Sequence, residues 1–279
     1  MTISFNRHRL QAIGGIALRP GFRSPEEKAR YVKQVFGTIA DRYDLMNLVM
    51  TGGIVRYWQA VFRRQTGLRP GQRALDVACG TGELSLIMAR QVAPQGRVIG
   101  IDFSPEMLSV GREKISRTRY RDIIDLRYGD ALNLSFDDNS FECVASGFAL
   151  RNFTDIRRAL TEMYRVVKPG GRVVTLELSH PVHKWFLGPY KLYIHHVIPM
   201  LGRWAAHRMD RTAERVGLPA KQRGRAKSLP VPPYVWLPES LSEVPPQGEL
   251  AQLMRTIGFS EVKYRNLTCG IAALHVGIK

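Results

Sequence analysis

Between residues 73 and 178, apolar runs and helix-forming stretches take turns, and this alternation restricts the fold more than any other feature. "RALDVACGTGEL" is an apolar run that ends in a glycine-rich turn and a helix. "GRVIGIDFSPEML" repeats strand, acid and helix: the run from Val98 to Ile101, then Asp102, then Ser104-Pro105-Glu106 as a helix start. "IIDLRYGDAL" supplies a third strand and "SFECVASGFAL" a fourth. "IRRALTEMYRVVKPGGRVVTLEL" is a helix, a Pro-Gly-Gly stop and a fifth strand. Such alternation dictates a mostly parallel sheet with helices on both faces.

The flanks differ. Ser24-Pro25-Glu26-Glu27 reads as an N-cap, a proline at the first helical position and acids in the first turn. It opens a helix over 24–40 with Tyr31, Val35 and Ile39 on one face. A second helix is predicted from about Ile54 to Gln65. Residues 181–245 break the alternation: an apolar, aromatic stretch with three histidines, then a basic, proline-rich one. They read as a cap with a basic inserted loop at about 207–233. The expected organisation is a basic flexible terminus (1–23), a helical lid (24–70), a nucleotide-binding core (71–180), the cap (181–245), and a last helix with a terminal β-hairpin (246–279).

Charge narrows the partners. Lys and Arg number 41 against 24 Asp and Glu, a formal +17. That balance favours anions: nucleic acid, an anionic membrane surface or an acidic partner. No RNA-recognition signature accompanies it, so no specific nucleic acid is expected. Residues 203–227 carry eight Lys and Arg against Asp210 and Glu214. No apolar run reaches the roughly 18 residues of a spanning helix. Cys79, Cys143 and Cys269 are scattered, without zinc spacing, and no metal is expected. A transit peptide competes with a floppy basic terminus over the first 23 residues; the lack of a serine run and of a clean amphipathic period favours the terminus.

"DVACGTGE" closes the first strand with Gly80 and Gly82, which permit a tight turn and close backbone approach at a helix N-terminus. The third glycine of a dinucleotide fingerprint is replaced by Ser85. Asp76 opens the loop, where an ammonium is more welcome than a pyrophosphate. Asp102 ends the second strand, suited to two ribose hydroxyls. Asp130, beside Ala131, follows the third and is placed to accept from an adenine amino group. A nucleoside with an amino-acid tail, S-adenosyl-L-methionine, satisfies all three; NAD is the alternative.

"DVACGTGE", "GIDFSPEML", "GDALNLSF", "FALRN" and "YRVVKPGGRVVTLELS" resemble the class I methyltransferases. With "YDLMNLVMTGGIVRYW" (residues 43–58) and the ending "NLTCGIAALHVGIK", the chain is similar to the quinone-biosynthesis C-methyltransferases over roughly residues 30–205 and 234–279. The resemblance implies a Rossmann-like, mostly parallel seven-stranded sheet. It also implies methylation of a polyprenyl hydroquinol ring, demethylmenaquinol before the benzoquinol precursor of ubiquinol because the family's bacterial members commonly act on it. The donor site it implies is Asp76, Gly80, Thr81, Gly82, Asp102, Phe103, Met107, Asp130, Ala131 and Gly147. The chain departs from the family's usual pattern at Thr51 (usually Ser), Val55 (usually His) and Gly147 (often Ser), and in the basic insertion.

Ring methylation needs an electron-rich carbon, which ionising a neighbouring phenol provides. Arg151 and Asn152 are the candidates for holding that oxygen, and Tyr43 for orienting the ring or a water. Asp44 and Asn47 either bind the donor's methionine end or brace the lid. His180 is a base or a local hydrogen-bonding group; His195 and His196 read as cap residues, and Cys79 as core. Trp185, Phe186, Leu187, Tyr190, Leu192, Ile194 and Ile198 either line a prenyl tunnel or pack on the sheet. A polyprenyl substrate implies a cytoplasmic enzyme, or a mitochondrial-matrix one, peripheral to a membrane. A homodimer or quinone-biosynthesis complex stands open. The competing readings are a methyltransferase acting on RNA or protein, and a non-catalytic donor-binding scaffold.

Overall fold

The computed structural model describes residues 22, 24–198, 200, 240 and 244–279. The expected basic terminus (apart from Phe22 itself), the 207–233 insertion and the basic 203–227 stretch fall outside the described residues.

One sheet holds β1 (Arg73–Val77), β2 (Arg97–Asp102), β3 (Ile124–Tyr128), β4 (Phe141–Gly147), β5 (Val167–Leu178), β6 (Ser260–Leu267) and β7 (Ala272–Ile278), in the order β3-β2-β1-β4-β5-β7-β6. β1 to β5 are parallel. β7 is antiparallel to β5 and β6, which makes the predicted terminal hairpin. The central strands are apolar on both faces because helices cover both. On one side α3 (Val55–Gln65) and α4 (Glu83–Val92) bury Trp58, Phe62 and Met88. On the other, α6 (Ile156–Val166) and α8 (Gln247–Ile257) bury Leu160, Met163 and Met254.

Ahead of the sheet, α1 (Pro25–Ile39) starts where expected: the Ser24 hydroxyl accepts from the Glu27 N–H at 3.2 Å. Its apolar face, Tyr31, Val32, Val35 and Phe36, packs with Met107 of α5 (Pro105–Ser116). The structure then adds α2 (Tyr43–Met50), a helix the sequence reading left undefined. None of its residues is fully buried, so no clean apolar period marks it. β5 differs too. Its pairing begins at Val167, opposite Phe141, ahead of the Pro-Gly-Gly, and the register then shifts before Arg172 meets Cys143. Lys168 to Gly171 thus form a bulge in the strand rather than a connection before it. After β5, the chain forms a short turn and α7 (Leu187–Leu192), which continues as a π-helical turn over Tyr193–Val197.

Candidate active site

The strand order reverses between β1 and β4, and open α/β sheets bind ligands at the carboxyl ends of such strands. A cavity of about 380 Å³ lies there. The loop after β1 contributes Gly80. Asp102 at the end of β2, Phe103 and Met107 form one side, Asp130 and Ala131 after β3 another. Gly147 at the end of β4 forms the floor, with Asn152, and Tyr43 comes from α2. A Cβ at Gly147 would stand 2.5 Å from a Leu84 methyl, so the serine common in the family requires that side chain to shift.

Asp102 is 7% exposed and has no ion partner among the described residues. Its two oxygens accept from the Gly80 and Ser104 N–H groups at 2.8 and 2.9 Å. Burial pushes its carboxyl up to about 6. Each oxygen keeps acceptor capacity, so this buried carboxylate fits a ligand that brings hydroxyl donors. Asp130 is exposed, and one of its oxygens accepts from the Leu132 N–H at 2.9 Å.

Three predicted donor residues do not line the cavity. Asp76 is 1% exposed beneath the loop, where it accepts from the Ser85 hydroxyl at 2.6 Å, and burial raises it to about 7. Ser85, the residue that spoils the dinucleotide fingerprint, is therefore the brace of Asp76. Gly82 (φ +79) caps α4. The Thr81 hydroxyl donates to Asp44 at 2.6 Å. Asp44 also pairs with Lys114 at 2.7 Å, and Lys114 pairs with Glu83 at 2.8 Å. Of the two roles open to Asp44, bracing α2 against α4 and α5 is the one these contacts display.

A second cavity, also about 380 Å³, adjoins the first. Its walls are Asn47 and Met50 of α2, Thr51, Ile54, Val55 and Trp58, and, from the cap, Phe186, Tyr190, Tyr193, Ile194 and Ile198. Trp185, Leu187 and Leu192 are exposed outside it. The Trp58 indole N–H donates to Thr268 at 2.8 Å, and the Tyr193 hydroxyl to the Met50 carbonyl at 2.7 Å, tying the cap to α2. Phe148, in the left-handed region at φ +57, lines both cavities. The turn that follows it sends Arg151 to the apolar cavity and Asn152 to the first.

Arg151 is 2% exposed and forms an ion pair with Glu177 of β5, itself 1% exposed. Buried Lys28 of α1 fixes the turn by donating to the Arg151 and Phe153 carbonyls at 3.2 and 3.1 Å. Tyr43 packs edge-on against Phe36 at 5.7 Å; burial raises its hydroxyl while Arg151 and Asn47 pull it down. Sequence reading assigned no role to Glu177 or to Lys28. The local signal was an acid two residues after a threonine on the buried face of a mostly apolar strand end. His180 lines neither cavity; its carbonyl accepts from Gln247 at 3.0 Å. His196 is exposed, and the side chain of His195 is outside the described ones. Cys79 is buried, as expected of a core residue.

The seven-stranded order with its antiparallel last strand, and a cleft at the β1/β4 switch point, define an S-adenosylmethionine-dependent methyltransferase of class I. A SAM-dependent methyltransferase from Aquifex aeolicus superposes with a TM-score of 0.53 at 15% identity, over 79% of this chain and 88% of that one. The chain belongs to the ubiE/COQ5 methyltransferase family, whose sequence profile matches residues 24–213 and 219–279. Among its relatives is the demethylmenaquinone methyltransferase of Symbiobacterium thermophilum, 42% identical over 264 residues, which are 94% of this chain and 98% of that protein. The protein of the same name from Desulfitobacterium hafniense is 38% identical over 257 residues, 92% of each chain.

Proposed function

We propose that this protein transfers the methyl group of S-adenosylmethionine to a ring carbon of a polyprenyl hydroquinol, with demethylmenaquinol as the acceptor. The observation that carries this is the pair of cavities that share Phe148: a polar one edged by acids at strand ends, and an apolar one with a buried arginine in its wall. The names of the relatives support the naphthoquinol ring.

When bound, S-adenosylmethionine supplies a methyl group already activated on a sulfonium. Asp102 would hold the sugar hydroxyls, Asp130 and Ala131 the adenine edge, and Phe103 and Met107 would give the base apolar contact. Gly80 and Gly147 let the backbone approach. Asp76, Thr81 and Gly82 shape the loop from behind. On the acceptor side, Trp58, Phe148 and Val55 exclude water and hold the ring. Arg151 stabilises the ring oxygen as it ionises, since a fixed cation in a dry site favours the anionic form. Asn152 and Tyr43, on the donor side of the same turn, orient the ring for an in-line approach.

A cavity of this size holds a drug-sized fragment, so most of a polyprenyl tail stays outside. Leu45, Val49, Ile54, Tyr57, Trp185 and Leu192 are exposed on the elements that wall the apolar cavity, and among the described residues no helix is long and apolar enough to cross a membrane. The tail therefore remains in lipid while these residues and the basic excess meet an anionic surface. The deciding experiment incubates the purified protein with methyl-labelled donor and reduced demethylmenaquinol. Label in menaquinol supports the reading. Label only with a benzoquinol moves the substrate, and no label with either sinks it.

A further inference from the structure

Among the described residues, six buried side-chain polar atoms have no hydrogen-bond partner: Ser146 Oγ, Arg151 Nε, Thr175 Oγ1, Glu177 Oε2, Ser179 Oγ and His275 Nδ1. They are not scattered. Thr175, Glu177 and Ser179 alternate along one face of β5 and its end, and Thr175 pairs with Ser146 of β4 and His275 of β7. Arg151 closes the row at the apolar cavity. Native proteins satisfy nearly every buried polar group, and exceptions gather where chemistry needs them. Glu177 is the focus. Its Oε1 accepts from Arg151 and from the Leu178 N–H at 2.9 Å, whereas Oε2 accepts nothing. The pair is thus joined at one corner, with an unused acceptor and an unused donor in the same dry place.

We propose that Glu177 is the group that takes the proton the acceptor hydroxyl loses, leaving Arg151 to pair with the oxyanion. This deepens the hydroquinol reading and rests on it. Glu177 is ion-paired with Arg151 and does not line the cavity, so the transfer needs a water as relay. The quinol O–H bond breaks and its electron pair stays on the ring oxygen. The water gains that proton and gives another to Oε2. One negative charge moves from carboxylate to oxyanion, and the Arg151 cation stays between them. In a low-dielectric site, shifting a charge between two neighbours of one cation costs far less than creating one. Burial pushes the Glu177 carboxyl up and Arg151 pulls it down. The charged and titratable groups around it are Arg151, Lys28 behind the turn, Tyr43 from α2, Tyr190 from α7 and His275 from β7.

E177Q tests this, since glutamine keeps an oxygen for Arg151 and Leu178 but removes the base. Against reduced demethylmenaquinol at pH 7, kcat should fall about 100-fold or more. It should then climb about tenfold per pH unit towards pH 9 as the phenol ionises unaided, while the parent stays level and E177D keeps the parent profile. Donor affinity by calorimetry should be unchanged. Parent-like kcat in E177Q, or the same loss at every pH, overturns the proposal. Should E177Q not fold, the parent is assayed with quinols of graded phenol acidity. With the donor saturating at every pH, so that Asp102 does not enter, an acid limb fixed across acceptors supports an enzyme base; one that tracks each phenol overturns the assignment. Absence of parent turnover on any quinol sinks the functional reading and this one with it; the other outcomes judge Glu177 alone.

Discussion

At the residue scale, burial shifts the carboxyl of Asp102, the residue proposed to hold the donor's sugar. Its carboxyl, raised to about 6, is ionised at pH 7 and mostly protonated at pH 5. Only the ionised form accepts from two ligand hydroxyls while holding the Gly80 and Ser104 N–H groups. Donor affinity should therefore drop about tenfold between pH 7 and pH 5, and calorimetry across that range checks it. D102N should bind more weakly by about 1–3 kcal/mol at pH 7 and lose the pH dependence. The stability sign is opposite. A carboxyl whose folded value lies above its unfolded value of 3.8 contributes stability below about 4 and loses it as pH rises through about 6. The acid-side gain in thermal stability of the unliganded protein should accordingly shrink in D102N.

At the scale of elements, α2 is held to the site by few contacts. It buries no residue fully, and it is tied down by Tyr43 and Met46 against α1, by Tyr193 from the cap, and by Asp44 to Thr81 and Lys114. The turn after it, Gly52 and Gly53 at φ +56 and +81, is open around both residues. Half-exposed ion pairs are worth about 1 kcal/mol or less. D44N should lower Tm by no more than about 3 °C. Because α2 walls both cavities, the same change should speed amide exchange over residues 43–50 and raise KM for donor and acceptor together. A large Tm loss with unchanged exchange at 43–50 would show that Asp44 supports the core instead.

For the whole molecule, the formal +17 and the apolar side chains beside the acceptor cavity act together. In the proposed membrane contact, charge would supply about 1 kcal/mol per basic residue near an anionic surface, and apolar contact would orient the mouth. Vesicle sedimentation should show binding to anionic but not neutral lipid, weakening as salt shortens the Debye length below about 10 Å. W185A with L192A, two exposed positions outside the cavity wall, should weaken binding while turnover of a short-tailed soluble quinol is unchanged. Equal binding to neutral vesicles would refute the electrostatic part.

What the sequence determined by itself is what local physics encodes. Periodicity marks strands and helices, Ser24 and Pro25 start α1, and glycines and acids at successive strand ends reveal the parallel sheet and the cleft at its carboxyl edge. The aromatic cap residues were legible as a group, though not which of them face inward. Tertiary structure alone decided the partnerships. Arg151 meets Glu177 across 26 positions, Asp44 meets Lys114 across 70, and Lys28 reaches the carbonyls of the turn across 123. Strand order brings such groups together, and a single charged residue in sequence carries no record of which neighbour will neutralise it. The same holds for α2: none of its eight residues is fully buried, and its half-buried Tyr43 and Met46 find their partners on α1. Those partners, with Thr81 and Tyr193, come together only after the sheet has formed.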